Sequence, residues 1–181
     1  MVVESQMQAK RPVSAALAGP YGHPFHPILV TVPIGAWVTS LVFDIGSHVV
    51  HDPDFLTRGS TWLIAIGVLG ALAAAMIGFL DLFAIPTGTR AYRTGLIHMT
   101  LNLLVTVAYA GNFWWRSATD SATGTVGAGM IALSAVSMAA LGASGFLGGK
   151  LAYHYGVRVA DESTQAEGFV PGTSQDTDST H

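Results

Sequence analysis

Two His-Pro dipeptides stand three residues apart at the start of an apolar run, in the stretch GHPFHPILVTVPIGAW from Gly22 to Trp37. They contain His23 and His26, two of the seven histidines in a chain that has no cysteine. The lack of cysteine excludes disulfides, thiolate-bound zinc, iron–sulfur clusters and covalently attached haem. Imidazole, carboxylate and thioether groups remain as ligands, and they suit a b-type haem or a metal ion bound by nitrogen and oxygen.

Histidines near two later apolar runs extend this set of candidate ligands. Haem in a helical bundle takes axial ligands, typically histidines from facing helices at equal depth. His98, at the start of the third run, is therefore predicted to pair with His26 or with His154, which follows the fourth run. The nearby Arg90 and Arg93 are predicted to bind the haem propionates.

A bare metal ion is the alternative occupant. Zinc, iron and copper accept imidazole nitrogen, and a carboxylate oxygen can complete such a site. Asp81 ends the second apolar run, which brings it to the same end of the molecule as the histidines. The ligands predicted for a bare ion are His23, His26, Asp81 and His98.

The composition indicates the surroundings in which these residues are positioned. The chain of 181 residues is 50% hydrophobic and only 10% charged, with a mean hydropathy of +0.47. A soluble domain carries about 25% charged residues, and a chain this short leaves much of its surface exposed. The protein is therefore predicted to lie in a lipid bilayer. Its net charge of −3 provides no basic surface for nucleic acid.

Four apolar runs each have close to the ~20 residues that cross a bilayer. They cover about residues 27–50, 60–85, 94–115 and 125–147. Because the connections are short, neighbouring helices must run antiparallel. The predicted fold is all-α, a four-helix transmembrane bundle with up-down topology. The predicted organisation is a flexible N-terminal segment at 1–21, the membrane domain at 22–159 and a disordered acidic tail at 160–181.

The basic residues predict the orientation of the bundle, because cytoplasmic loops carry an excess of Lys and Arg. Only Arg58 and Arg116 fall on one side of the predicted membrane. The residues on the other side are Lys10, Arg11, Arg90, Arg93, Lys150 and Arg158. This bias predicts that both termini are cytoplasmic.

Polar residues form one stripe on each of the first and third spans, and such residues tend to face the protein interior. The interval from His26 to Asp44 equals the interval from His98 to Arg116, which is eighteen residues or about 27 Å of helix. We therefore expect His26 to face His98 near the cytoplasmic side, and Asp44 to pair with Arg116 near the outer side. Asn102 lies on the stripe of the third span.

The surroundings of the histidine pair follow from the same topology. Asp81 and Arg93 are expected close to it, and His23 and His154 nearer the cytoplasmic rim. Proline at position 33 is expected to kink the first helix, because it has no backbone N–H.

Small residues recur every four positions in the second and fourth spans, a spacing that lets helices approach closely in lipid. The two sets are Gly70, Ala74 and Gly78 in the second span, and Ala135, Ala139 and Ala143 in the fourth. Both sets are predicted to lie at helix–helix contacts inside the bundle.

Four stretches resemble a bacterial membrane-protein family known as domain-of-unknown-function family 2231. They are GHPFHPILVTVPIGAW with the following Asp44, IGFLDLF at 77–83, RTGLIHMTLN at 93–102 and GGKLAYHYGVRV at 148–159. The resemblance covers about residues 22–159 and implies a four-helix integral domain of the bacterial cell membrane. Some members of the family are joined to Rieske-type iron–sulfur domains, which implies electron transfer and redox-protein partners.

Two functions from different classes remain open from the sequence. One is a redox or ligand-binding subunit that holds b-type haem or a metal ion, in contact with redox proteins or a second copy of the chain. The other is a non-enzymatic membrane subunit or small transporter, in which the His and Asp residues relay protons or have a structural role. No inverted repeat is evident, which argues against a transporter. No hydrolase motif is present, so no reaction is predicted.

Overall fold

The computed structural model describes residues 2–14, 24–119 and 123–169, and it is all-helical over these residues. The α-helices are α1 (Val2–Lys10), α2 (Phe25–Leu29), α3 (Thr31–Gly46), α4 (Asp54–Phe83), α5 (Arg90–Ala118), α6 (Ala128–Gly149) and α7 (Glu162–Glu167), with a π-helical turn at Lys150–His154 after α6. His23 and the parts of the predicted flexible segment and tail at 15–21 and 170–181 lie outside the described residues.

Four of the described helical segments are long and apolar enough to cross a membrane, which confirms the predicted fold class. We call them spans 1 to 4, and they cover Phe25–Gly46, Asp54–Phe83, Arg90–Ala118 and Ala128–His154. Their lengths of 22 to 30 residues satisfy the ~20 residues that a bilayer core requires. Because no backbone group can find water in hydrocarbon, the helix satisfies its own N–H and C=O groups.

Span 1 is interrupted at Val30, between α2 and α3. The cause lies three residues further on, where Pro33 has no N–H to donate to the carbonyl of Leu29. The Thr31 hydroxyl donates to the carbonyl of Ile28 at 2.7 Å and satisfies one of the acceptors near the break.

Successive spans pack side by side, and spans 1 and 3 face each other across the centre of the bundle. Trp37 of span 1 stacks on Tyr109 of span 3, with ring centroids 4.2 Å apart and ring planes within 9°. Both rings are buried, and with Ile64 and Val105 they form the apolar core. Contacts between spans 1 and 4 are less extensive than those between consecutive spans.

Small residues bring span 2 against span 1 as predicted. A Cβ atom built on Gly70 would lie 2.7 Å from a methyl group of Val32, and one on Gly78 would lie 2.8 Å from the ring of His26. Ala74, between them, is buried. These contacts confirm the predicted packing of the Gly70, Ala74 and Gly78 set.

The prediction for span 4 was wrong, because Ala135, Ala139 and Ala143 are exposed on the outer surface of the bundle. The face of α6 that turns inward carries Ser134, Ser137 and Ser144 instead. Serine hydroxyls need hydrogen-bond partners, which lipid does not offer. The polar face of α6 is therefore buried and the alanine face is left to the lipid.

The segments that flank the spans contact each other at the end of the bundle where span 1 begins. The N–H of Arg158 donates to the carbonyl of Ala9 in α1 at 3.0 Å. The Lys10 ammonium lies 2.9 Å from the carboxylate of Glu162 in α7. This bond lowers the pKa of Glu162, and the Thr164 N–H, by donating to Asp161, lowers the pKa of that carboxyl to about 2.

Candidate functional site

His26 is fixed by two features of span 2. Its Nδ1 lies 2.9 Å from the carbonyl oxygen of Ala74. Its ring also rests on Gly78, where a Cβ would come within 2.8 Å of it. Since a carbonyl only accepts hydrogen bonds, Nδ1 carries a proton in this contact. In the neutral imidazole, Nε2 then holds the lone pair and is the ligand atom of the ring.

His98 is fixed by span 4 in the same manner. Its Nδ1 lies 2.8 Å from the carbonyl oxygen of Ser144, and a Cβ on Gly148 would lie 3.0 Å from its ring. The same tautomer follows, with the lone pair on Nε2. The side-chain amide of Asn102 donates to that nitrogen at 3.1 Å.

The two histidines face each other across the bundle, as the polar stripes predicted. Their ring centroids are 6.3 Å apart and the ring planes are nearly perpendicular, at 82°. Both side chains are half-buried. Their Nδ1–H groups are directed away from each other, towards spans 2 and 4, so the arrangement is a pair of imidazoles with fixed orientations. We call it the histidine pair.

Asp81 lies next to the histidine pair, close enough to His26 for an electrostatic interaction. Its carboxylate forms an ion pair with Arg158, with Oδ1 3.0 Å from Nε. Arg158 adopts a left-handed backbone conformation with φ 58°. From the sequence, Arg158 was predicted only to contribute to the orientation of the bundle, because a contact between residues 77 positions apart has no local sequence signal.

The other predicted ligands are exposed or lie outside the described residues. His154 is exposed, and its ring contact is with the neighbouring Tyr155 at 4.9 Å. Arg90 and Arg93 are exposed in the first turn of α5, eight and five residues before His98. His23 is not among the residues that the structure describes.

A bare metal ion has no complete set of protein ligands in the described part of the chain. Over residues 2–14, 24–119 and 123–169, no group of three or more His, Cys, Asp and Glu side chains is placed to hold one. The histidine pair supplies two imidazoles, and structural and catalytic ions require more protein ligands than that.

At the opposite end of the bundle, Asp44 and Arg116 form a bidentate ion pair, which confirms the predicted pairing. Arg116 Nη2 lies 2.7 Å from Asp44 Oδ2, and Nη1 lies 2.9 Å from Oδ1. The Ser60 hydroxyl also donates to the Asp44 carboxylate. Asp44 is 0% and Arg116 3% exposed, so both charges are removed from lipid and from water.

Hydrogen bonds extend this ion pair to all four spans. Arg116 Nε donates to Asn112 Oδ1 at 3.0 Å, and the Asn112 amide donates to the hydroxyl of Ser134 at 2.9 Å. The Tyr109 hydroxyl donates to the carbonyl of Ser134 at 3.2 Å. Ser60 and Ser134 were not predicted as members of this network. The serine spacing in span 4, at 134, 137 and 144, was the available signal for an inward polar face.

Comparison with protein families finds a model described as a predicted membrane protein, DUF2231, that matches residues 22–161. Comparison with curated proteins and with solved structures finds no match. The matched residues include all four spans, the histidine pair and the buried ion pair. The chain therefore belongs to the DUF2231 family of predicted membrane proteins.

Proposed function

We propose that this protein is a membrane redox subunit that binds one b-type haem between His26 and His98. The observation that carries the proposal is the geometry of the histidine pair. The two rings lie on facing helices with their centroids 6.3 Å apart, and together they would hold the haem.

The number of protein ligands favours haem over a bare ion. Haem needs only one or two ligands from the protein, and His26 and His98 would provide them. A bare zinc or copper ion would need further ligands, and the described residues offer no group of three. Bound haem would supply one-electron transfer.

The Nδ1 hydrogen bonds support the same proposal. Histidines that bind metals donate the other ring N–H to a carbonyl or carboxylate, which fixes the tautomer and the orientation of the ring. Ala74 and Ser144 provide these carbonyls at 2.9 Å and 2.8 Å. Arg90 and Arg93, exposed at the same end of the bundle, would bind the haem propionates.

The histidine pair is proposed to lie near the cytoplasmic side of a bacterial cell membrane, with both termini in the cytoplasm. Arg116 belongs to a buried ion pair, so it is not a loop charge that sets orientation. Arg158 is ion-paired with Asp81 in the same way, and the remaining basic residues favour the histidine end by five to one. Redox proteins of the cytoplasm are the partners that this orientation would allow.

One observation favours a second function, a structural or proton-relaying role for the histidine pair. The amide of Asn102 donates to Nε2 of His98 at 3.1 Å and satisfies the lone pair that a haem iron would use. In this alternative His98 stays hydrogen-bonded to Asn102, and no cofactor lies between the rings.

A visible absorption spectrum separates the two functions. The protein should be purified from cells supplied with excess haem precursor, next to the variants His98→Ala and His154→Ala. The haem proposal predicts a Soret band that shifts on reduction, is lost in His98→Ala and is retained in His154→Ala. A colourless wild-type protein that also takes up no added haemin would refute the haem proposal in favour of the second function.

A further inference from the structure

The buried positions of spans 1 and 3 match at one constant offset. Four pairs of buried residues are each separated by 72 positions, namely Pro33 and Val105, Trp37 and Tyr109, Ser40 and Asn112, and Asp44 and Arg116. His26 and His98 have the same separation. In three of these five pairs the two members interact directly: the rings of Trp37 and Tyr109 stack, Asp44 and Arg116 form the ion pair, and the imidazoles of His26 and His98 face each other.

Spans 2 and 4 match at an offset of 70 positions. All four buried residues of α6 have a buried counterpart in α4, in the pairs Ser60 and Met130, Ile64 and Ser134, Gly67 and Ser137, and Ala74 and Ser144. Gly78 and Gly148, which support the histidine rings, have the same separation.

Two pairs of hydrogen bonds fit the 72-residue offset and the 70-residue offset at the same time. Helical periodicity alone does not require this. The His26 bond to the carbonyl of Ala74 corresponds to the His98 bond to the carbonyl of Ser144. The Trp37 indole N–H donates to the carbonyl of Ile64 at 3.3 Å. Its counterpart Tyr109 donates to the carbonyl of Ser134, the residue that matches Ile64.

We infer that spans 1–2 and spans 3–4 are two copies of one helical hairpin, related by a pseudo-two-fold axis along the bundle, and that each copy delivers the same unit to one shared ligand. The unit is a histidine, the main-chain carbonyl that orients it and the glycine on which its ring rests. Gly78 and Gly148 are thus positioning residues for that ligand. This part of the inference rests on the proposed function.

The residues that are identical in the two hairpins indicate which kind of ligand the hairpins bind together. The histidine and the glycine are identical in both copies, whereas the four matched buried pairs of spans 1 and 3 all differ. Asp44 and Arg116 carry opposite charges, so the two hairpins differ at the ion-pair end of the bundle. They remain alike at the histidine end. A ligand that takes one imidazole nitrogen on each of two opposite faces, such as a planar metal macrocycle, uses both copies equally.

Alanine substitutions of glycine test this inference. A Cβ atom would lie 2.8 Å from the His26 ring in Gly78→Ala and 3.0 Å from the His98 ring in Gly148→Ala, so each ring must shift from its position beside the carbonyl. We expect each variant to weaken haem affinity about 10-fold, the range found for groups that orient metal ligands. The midpoint potential of the haem that remains should shift in both variants. The controls Gly142→Ala and Gly145→Ala, with open space around the new Cβ, should match the wild type.

The melting temperature of each variant in detergent, measured without haem, separates the inference from the proposed function. Lower melting temperatures for both Gly78→Ala and Gly148→Ala, in a protein that binds no haem, would support the repeat and refute the haem. If only one of the two differed from the controls, the equivalence of the hairpins would be refuted. If both variants bound haem with wild-type affinity and potential, the positioning role would be refuted while the haem proposal stood.

Discussion

At the scale of single residues, Asp44 and Arg116 are opposite charges buried in a bundle that lies in lipid. The pair is satisfied by two short hydrogen bonds between the side chains and by Ser60 and Asn112 around them. Removing one partner of such a pair leaves the other charge buried without compensation, which is far more costly than removing both.

Arg116→Met should therefore destabilise the protein by about 3–5 kcal/mol, because it strands the Asp44 carboxylate. The double variant Asp44→Asn with Arg116→Met should recover a large part of this loss. Thermal unfolding in detergent measures both, with Arg58→Met, at an exposed position, as the control. A single variant as stable as the double would contradict the account of the ion pair.

The sequence predicted the two residue pairs but not the contacts that orient them. Equal spacing along spans 1 and 3 was enough to place His26 opposite His98 and Asp44 opposite Arg116. The carbonyls of Ala74 and Ser144 have no sequence signal, because every residue carries the same backbone group. The Arg158 contact with Asp81 depends on how the chain turns after span 4, which no helical count can give.

At the scale of helices, α6 shows how a polar face and an alanine face compete for the interior. The small-residue spacing predicted that alanine would be buried, and the structure buries serine. Both faces have side chains small enough for close approach, so hydrogen bonding decides between them. Ser134 and Ser144 have partners in span 3 that alanine could not use.

Leucine substitutions on the two faces of α6 should therefore have opposite outcomes. Ala139→Leu adds an apolar side chain on the exposed face and should leave the melting temperature in detergent unchanged. Ser137→Leu forces a larger side chain into a buried position and should destabilise by about 1–3 kcal/mol. The reverse order of stabilities would mean that α6 is rotated from its orientation in the structure.

The short helix α7 should respond to acid through its N-cap. The Thr164 N–H donates to Asp161 at 2.8 Å and lowers its pKa from 3.8 to about 2. A depressed pKa in the folded state gives stability that is complete above the unfolded value and is lost as the pH falls from about 4 to 2. The protection of the Thr164 amide, measured as its exchange rate relative to that of an unstructured peptide at the same pH, should fall over this range. Asp161→Asn keeps a capping side chain without the charge, and it should remove the pH dependence.

At the scale of the whole molecule, the four spans, their order and the chain segment they occupy were predicted from hydropathy and length. Those quantities depend on sums over about 20 residues, so single errors have little effect. The repeat of the hairpin was not predicted, because few residues are identical between the halves. It becomes visible only when buried positions and hydrogen bonds are compared.

Labelling of single cysteines should establish the orientation of the whole molecule. The chain contains no cysteine, so each introduced thiol is the only one present. In intact cells, a membrane-impermeant maleimide should label Asp52→Cys, in the connection between spans 1 and 2, and should not label Glu167→Cys in α7. Labelling of Glu167→Cys in intact cells, with Asp52→Cys protected, would reverse the proposed topology.

The central claim is that one haem iron is bound by both His26 and His98, and electron paramagnetic resonance of the oxidised protein tests it most directly. The spectrum of a low-spin ferric haem depends on the angle between its two axial imidazole planes. With ring planes at 82°, we predict the strongly anisotropic low-spin signal of perpendicular bis-imidazole ligation, converted to a high-spin signal by His26→Ala. A wild-type haem that is already high-spin, or that keeps its low-spin signal in both His26→Ala and His98→Ala, would contradict the claim.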